Sequence, residues 1–145
     1  MSTRECIFCK IIKGDAEGYI VFEDDISIAF LDVRPLNPGH CLLVPRGHYE
    51  TLMDIPDELI GPLFKNAKLI SKAIEVGLEA QGIFVGINNR VSQSVPHLHI
   101  HIVPRNRGDN LKGFFWPRYP YKDRETILDI QNRIRGAINR LLIQP

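Results

Sequence analysis

The chain has 145 residues, 44% of them hydrophobic and 24% charged, with a formal net charge of +1. That length suits one domain with an ordinary core, and the composition excludes an extended disordered chain. With a near-neutral charge nothing argues for a nucleic-acid polymer or a membrane surface as partner, and none is expected; no apolar run approaches transmembrane length.

The start, Met1-Ser2-Thr3-Arg4-Glu5, is polar and lacks the apolar stretch of a signal peptide, so a cytoplasmic location is expected. Three cysteines then stay reduced or bind metal. Cys6 and Cys9 form Cys-x-x-Cys, a spacing that suits zinc or a redox pair. No strand precedes it, which weakens the redox reading. Tyr19 to Glu23 reads as a strand, Asp24-Asp25 as a turn, and Ile26 to Asp32 as the second strand of a hairpin. Pro35 to Gly39 is a loop. His40 to Pro45 is a third strand, stopped by its proline.

Asp54-Ile55-Pro56-Asp57-Glu58 signals a helix start. Leu59, Ile60, Leu63, Phe64, Ala67, Ile70 and Ile74 follow at helical spacing, with an end expected near Gly77 or Gly82. Ile83 to Asn88 is a fourth strand and the segment from His97 to Val103 a fifth. Asp123 to Leu142 carries Ile127, Ile130, Ile134, Ile138 and Leu141 at helical spacing. The apolar faces of both helices read as core. The sum is an α+β domain: an antiparallel five-stranded sheet, one long central helix and a C-terminal helix.

The chemistry concentrates in His97-Leu98-His99-Ile100-His101, which holds three of the five histidines. On a strand, alternate side chains share a face. The histidines then form one row, backed by Leu98, Ile100 and Ile102. Neighbours in such a row stand about 6.8 Å apart, and its ends about 13 Å, so one ion reaches two of them but not easily all three. Imidazole is also a nucleophile near neutral pH, and its phosphoryl adduct hydrolyses. Phosphoryl transfer needs positioning and donors around the phosphate oxygens, which flanking histidines supply.

The segment Gln93-Ser94-Val95-Pro96-His97-Leu98-His99-Ile100-His101-Ile102-Val103-Pro104-Arg105 resembles the signature of the histidine triad (HIT) family, in its small bacterial and Hint-like branch. Cys6 to Ile12, Ala29 to Val33 and Gly39 to His48 are similar to further family segments in the same order. The resemblance implies a single HIT domain over residues 1–145, with a core at about 5–105 and a C-terminal extension at 106–145. It implies a hydrolase or transferase acting at the α-phosphate of a ribonucleotide conjugate. The conjugate is a nucleoside phosphoramidate or a dinucleoside polyphosphate, and the partner nucleotide a purine. It also implies a homodimer and no organic cofactor. Two rivals are a nucleotide-binding protein with little turnover and a histidine-ligated metalloenzyme.

Residue by residue, the resemblance implies that His99 is the nucleophile and forms a covalent nucleotidyl-histidine. His101 contacts the phosphate or leaving group. His40, Ser94, Gln93 and either Asn88 or the adjacent Asn89 line the phosphate site. Asp32 takes the ribose hydroxyls, as a carboxylate with two acceptor oxygens can. Ile7, Phe8, Ile11, Phe30 and Val33 form the slot for the base. Cys6 and Cys9 with His48 and His97 complete a zinc set, and a closed Cys₂His₂ set is structural. The segment Asn88 to Gln93 is about two residues shorter than in many relatives and has no glycine. Phe114-Phe115-Trp116 reads either as an aromatic plug or as a lip over the substrate.

Overall fold

The structure is a computed structural model that describes residues 5–111 and 118–143. It divides into two units, residues 1–111 and 112–145, each taken by itself.

The first unit opens with a helix, α1 (Ile7–Lys13), which the sequence pattern does not predict around its Cys-x-x-Cys. Cys6 caps it, its sulfur accepting from Cys9 N–H at 3.5 Å. Gly14 ends it at φ 82°, a left-handed conformation that glycine adopts without steric cost. Seven residues are too short for a strong periodic signal. The helix survives because Phe8, Cys9 and Ile11 are buried against the sheet.

Five strands follow: β1 (Ile20–Glu23), β2 (Ser27–Leu31), β3 (Cys41–Pro45), β4 (Gly82–Gly86) and β5 (Ile100–Arg105). All neighbours pair antiparallel, in the order β1-β2-β3-β5-β4. The hairpin turn is fixed by Asp24, whose Oδ1 accepts from the backbone N–H groups of Ile26 and Ser27. Its Oδ2 accepts from Asn66 of the long helix α2 (Asp57–Gly77), tying turn to helix at 2.8 Å.

Register assigns the two faces. Phe30 pairs with Leu42, and Leu42 with His101, so these three side chains stand abreast. Ala29, Leu43 and Ile100 stand abreast on the opposite face. On that face α2 buries Leu63, Ala67, Ile70 and Ile74 against Ala29, Leu43, Leu98, Ile100 and Ile102. The α1 face gathers Cys6, Phe8, Cys9 and Ile11 with Ile28, Phe30, Leu42 and Val44. The sheet is therefore covered on both sides, which is why β3 is buried at every position.

The second unit contains α3 (Arg124–Ile143), close to the expected bounds. None of its residues is buried, contrary to the core reading of its apolar positions. The Phe114-Phe115-Trp116 segment lies outside the described residues.

Leu43 is fully buried at the centre of the sheet, on the face away from the histidines. Leu43→Ala lowers the unfolding free energy by about 2–5 kcal/mol, as measured by urea denaturation.

Candidate active site and adjoining metal-ligand cluster

The expected fifth strand opens only at Ile100, so His97 and His99 lie in the segment that leads into it. That segment is pinned by Leu98 N–H donating to Tyr49 O at 2.6 Å. The alternation still works, because Leu98 and Ile100 fill the α2 face while the histidines turn to the other. His99 and His101 have ring centroids 4.9 Å apart.

Hydrogen bonds assign the ring protons. His99 Nδ1 lies 2.8 Å from His97 O. A carbonyl only accepts, so Nδ1 carries the proton and Nε2 keeps its lone pair. His97 Nε2 lies 2.9 Å from Pro45 O and is likewise the protonated nitrogen. Its Nδ1 lone pair then faces away from the backbone, toward the cysteines.

His40, from the end of the loop before β3, reaches His101: His40 Nε2 and His101 Nδ1 are 3.0 Å apart. Asp32 Oδ2 is 3.8 Å from His40 Nε2. Burial lowers the pKa of His40 and of His99. For His101, burial first, then the neighbouring His99 and His40, push it down to about 4. Burial thus favours the neutral form of all three rings.

On the apolar side, Phe8 of α1 meets Phe30 of β2 edge-on at 5.3 Å and His99 at 5.1 Å. Phe8, Ile11 and Phe30 are buried together. Ile7 and Val33 do not join them: they are 44% and 75% exposed.

The glycine-free loop before the triad takes left-handed backbone conformations regardless. Arg90 has φ 71° and Ser92 φ 62°. Such conformations cost non-glycine residues about 1–2 kcal/mol each, so something must hold them. Gln93 does: its Oε1 accepts from Arg90 N–H at 2.7 Å and its Nε2 donates to Glu50 O at 2.6 Å. The Gln93 carboxamide is thereby engaged within the protein. Asn89 is engaged as well, its Oδ1 accepting from Leu52 N–H at 2.8 Å, whereas among the described residues no such bond holds Asn88. Ser94 is exposed beside them.

Cys6, Cys9, His48 and His97 converge, with their ligand atoms within 4.8 Å of one another. Cys6 Sγ is 3.5 Å and Cys9 Sγ 3.6 Å from His97 Nδ1. His48 Nδ1 is 3.2 Å from Cys9 Sγ and 3.2 Å from His97 Nδ1. A tetrahedral ion with usual Zn–N and Zn–S bond lengths has ligand edges of roughly 3.3–3.8 Å. The measured spacings lie close to that range. Burial and the adjacent Cys6 push the metal-free Cys9 thiol up to about 11. Sequence reasoning missed the backbone parts of both sites: the carbonyls of His97 and Pro45, and the amide of Leu36. Backbone groups have no sequence signature of their own.

A buried histidine cluster thus packs against Phe8 and Phe30 on one face of an antiparallel α+β scaffold. A family model for the HIT domain matches residues 13–108. The chain is similar to a HIT-family crystal structure from Bacillus subtilis, with a TM-score of 0.83 and 35% identity over 91% of this chain and 96% of that one. It is 35% identical to adenosine 5'-monophosphoramidase hnt1 of Schizosaccharomyces pombe, over 83% of this chain and 89% of the relative. A Zn-bound histidine triad protein from Mycobacterium smegmatis matches with a TM-score of 0.72 and 33% identity, covering 99% and 100% of the two chains. The chain belongs to the histidine triad family.

In the unfolded chain His101 takes up a proton near the ordinary value of 6.5; in the fold it resists until about 4. The unfolded state therefore binds more protons in this window, and stability falls as pH drops through it. Urea midpoints measured from pH 7 to pH 4 fall for the wild type, and His101→Asn flattens the part of the slope that His101 causes.

Proposed function

We propose that this protein is a nucleotide hydrolase or transferase that cleaves at the α-phosphate of a ribonucleotide conjugate, a nucleoside phosphoramidate or a dinucleoside polyphosphate. The observation that carries this reading is the bond from His99 Nδ1–H to its neighbour's carbonyl, which leaves Nε2 as a free nucleophile. In the first step the Nε2 lone pair forms a bond to the α-phosphorus. The bond from phosphorus to the leaving oxygen or nitrogen breaks, and the departing group takes up a proton. Water then attacks the same phosphorus and gives up a proton to the solvent, the N–P bond breaks, and the electron pair returns to Nε2.

The remaining residues divide the binding work. His101 stands on the phosphate side. Asp32 takes the ribose hydroxyls, and Phe8, Ile11 and Phe30 flank a purine, with Ile7 and Val33 at its exposed edge. For the phosphate contact Asn88 is preferred over Asn89, because Asn89 is already bonded to Leu52. Gln93 acts by holding the loop. The name of the fission-yeast relative supports the amide-linked substrate class. The family resemblance supports a homodimer.

The same reading gives Cys6, Cys9, His48 and His97 a structural zinc. Zinc supplies a fixed crosslink there, between α1, the end of β3 and the segment before β5. His97 is oriented for it by Pro45 O, a backbone acceptor of the kind that usually orients ligating histidines.

Four measurements test these assignments. Incubation with an adenosine phosphoramidate, followed by a rapid denaturing quench at alkaline pH and peptide mass analysis, finds a nucleotidyl adduct on His99. His99→Ala lowers kcat by about 10⁴-fold or more, and unchanged turnover in that variant overturns the nucleophile. Elemental analysis finds about one zinc per chain, and Cys6→Ser with Cys9→Ser releases it and lowers the melting temperature. A stable, metal-free wild-type preparation counts against the zinc.

A further inference from the structure

We propose that α3 is a self-association surface whose apolar face packs antiparallel against α3 of a second copy of this chain. The inference stands apart from the hydrolase reading and draws only on the second unit.

The starting point is a helix that its own residues do little to sustain. Ile127, Ile130, Ile134 and Ile138 are β-branched and only middling helix formers, and Gly136 is a poor one. A helix of that composition persists in a protein when an amphipathic face is packed. Yet α3 extends for about 30 Å with no buried residue among those described. Ile134 is 56% exposed and Leu141 71%. Single exposed apolar residues are ordinary, but a continuous stripe of them marks an interaction surface.

The spacing of the stripe says what covers it. Ile127, Ile130, Ile134, Ile138 and Leu141 are separated by steps of three, four, four and three residues. Those steps keep all five on one side of the helix. The series is the same read from either end, and Ile134 is its centre. A second copy running the opposite way therefore sets Ile134 on Ile134, Ile127 on Leu141 and Ile130 on Ile138. Every apolar position meets an apolar position. Such a two-fold contact uses the same patch on both copies and closes the pair. An unrelated partner imposes no such symmetry.

Charge selects the same direction. The first half of α3 carries Glu125 and Asp129, whereas the second half carries Arg135 and Arg140 and no acid. Asp129, Arg133 and Arg140 lie on one flank of the stripe by helical geometry, and Arg133 reaches Asp129 within the helix at 3.9 Å. In the antiparallel pair Arg140 of one copy comes level with Asp129 of the other, on the same flank, and symmetry repeats the match. A parallel pair instead sets Arg133 beside Arg135 and brings no acid to Arg140. On the other flank the antiparallel pair brings Arg135 near its own counterpart, but both stay open to solvent, where salt screens them. Exposed ion pairs contribute little to affinity. The stripe therefore supplies the strength and the charges the direction.

The test uses full-length chains loaded with zinc. Cys6, Cys9 and Cys41 are buried, so new surface thiols report on α3, with the wild type as control. Ile127→Cys and Leu141→Cys are each treated with oxidised glutathione, alone and after equimolar mixing. Neither cross-links alone, and the mixture gives a disulfide-linked dimer on a non-reducing gel. A cross-link in Ile127→Cys alone shows a parallel pair and overturns the proposal. No cross-link in the mixture also overturns it, as when α3 is covered by its own chain or by a lipid surface. In equilibrium sedimentation, Ile134→Asp raises the dissociation constant by about tenfold or more. Asn132→Asp, on the opposite face of α3, leaves it unchanged. Equal association of Ile134→Asp and the wild type overturns the proposal. Should Ile134→Asp unfold, the cross-linking decides.

Discussion

His97 is the residue on which the two halves of the site depend. Its carbonyl accepts the Nδ1 proton of His99, and its ring, held by Pro45 O, turns Nδ1 toward Cys6, Cys9 and His48. One residue thus touches both the proposed nucleophile and the proposed crosslink. A shift of the ring moves the carbonyl with it, because both belong to one short segment entering β5. Phe8 adds a second link. It lies in α1 between Cys9 and the capping Cys6, and packs against His97 at 5.9 Å and His99 at 5.1 Å. The α1 helix is therefore held at the cysteine end and presents an aromatic edge at the histidine end.

The rest of the site is built by paying strain for placement in one short stretch. Arg90 and Ser92 adopt conformations that glycine would take without penalty, and Gln93 secures them through two backbone partners. A loop without glycine keeps its path this way. The sheet takes no part in that compensation. Its contribution is register: Leu42 opposite His101 fixes which face the triad meets, and a slip of one residue would turn every histidine into the α2 core.

Much of this was legible in the chain. The period-two pattern from Leu98 to Ile102 gave the polar row and its apolar backing, and the helical spacing from Leu59 to Ile74 gave α2. The Pro45 stop and the Asp24-Asp25 turn marked strand ends through local chemistry, which needs no partner. The structure corrected local boundaries for equally local reasons. The strand opens at Ile100 because His97 and Leu98 bond to Val95 and Tyr49 rather than to a neighbouring strand. The helix α1 escaped notice because seven residues give too little periodicity, and its stability comes from burial.

By itself, the sequence determined which residue types stand on one face, because side-chain alternation is a property of the backbone alone. It also determined the family, since the motif and its flanking segments occur in order. Only the tertiary structure decided which partner each of these histidine rings meets. The five rings have the same chemistry, and their protons are placed by partners distant in sequence or supplied by the backbone: Pro45 O for His97, His97 O for His99, and Leu36 N–H for His40. A carbonyl or an amide has no letter in the sequence, so the direction of a hydrogen bond emerges only when the chain has folded around it.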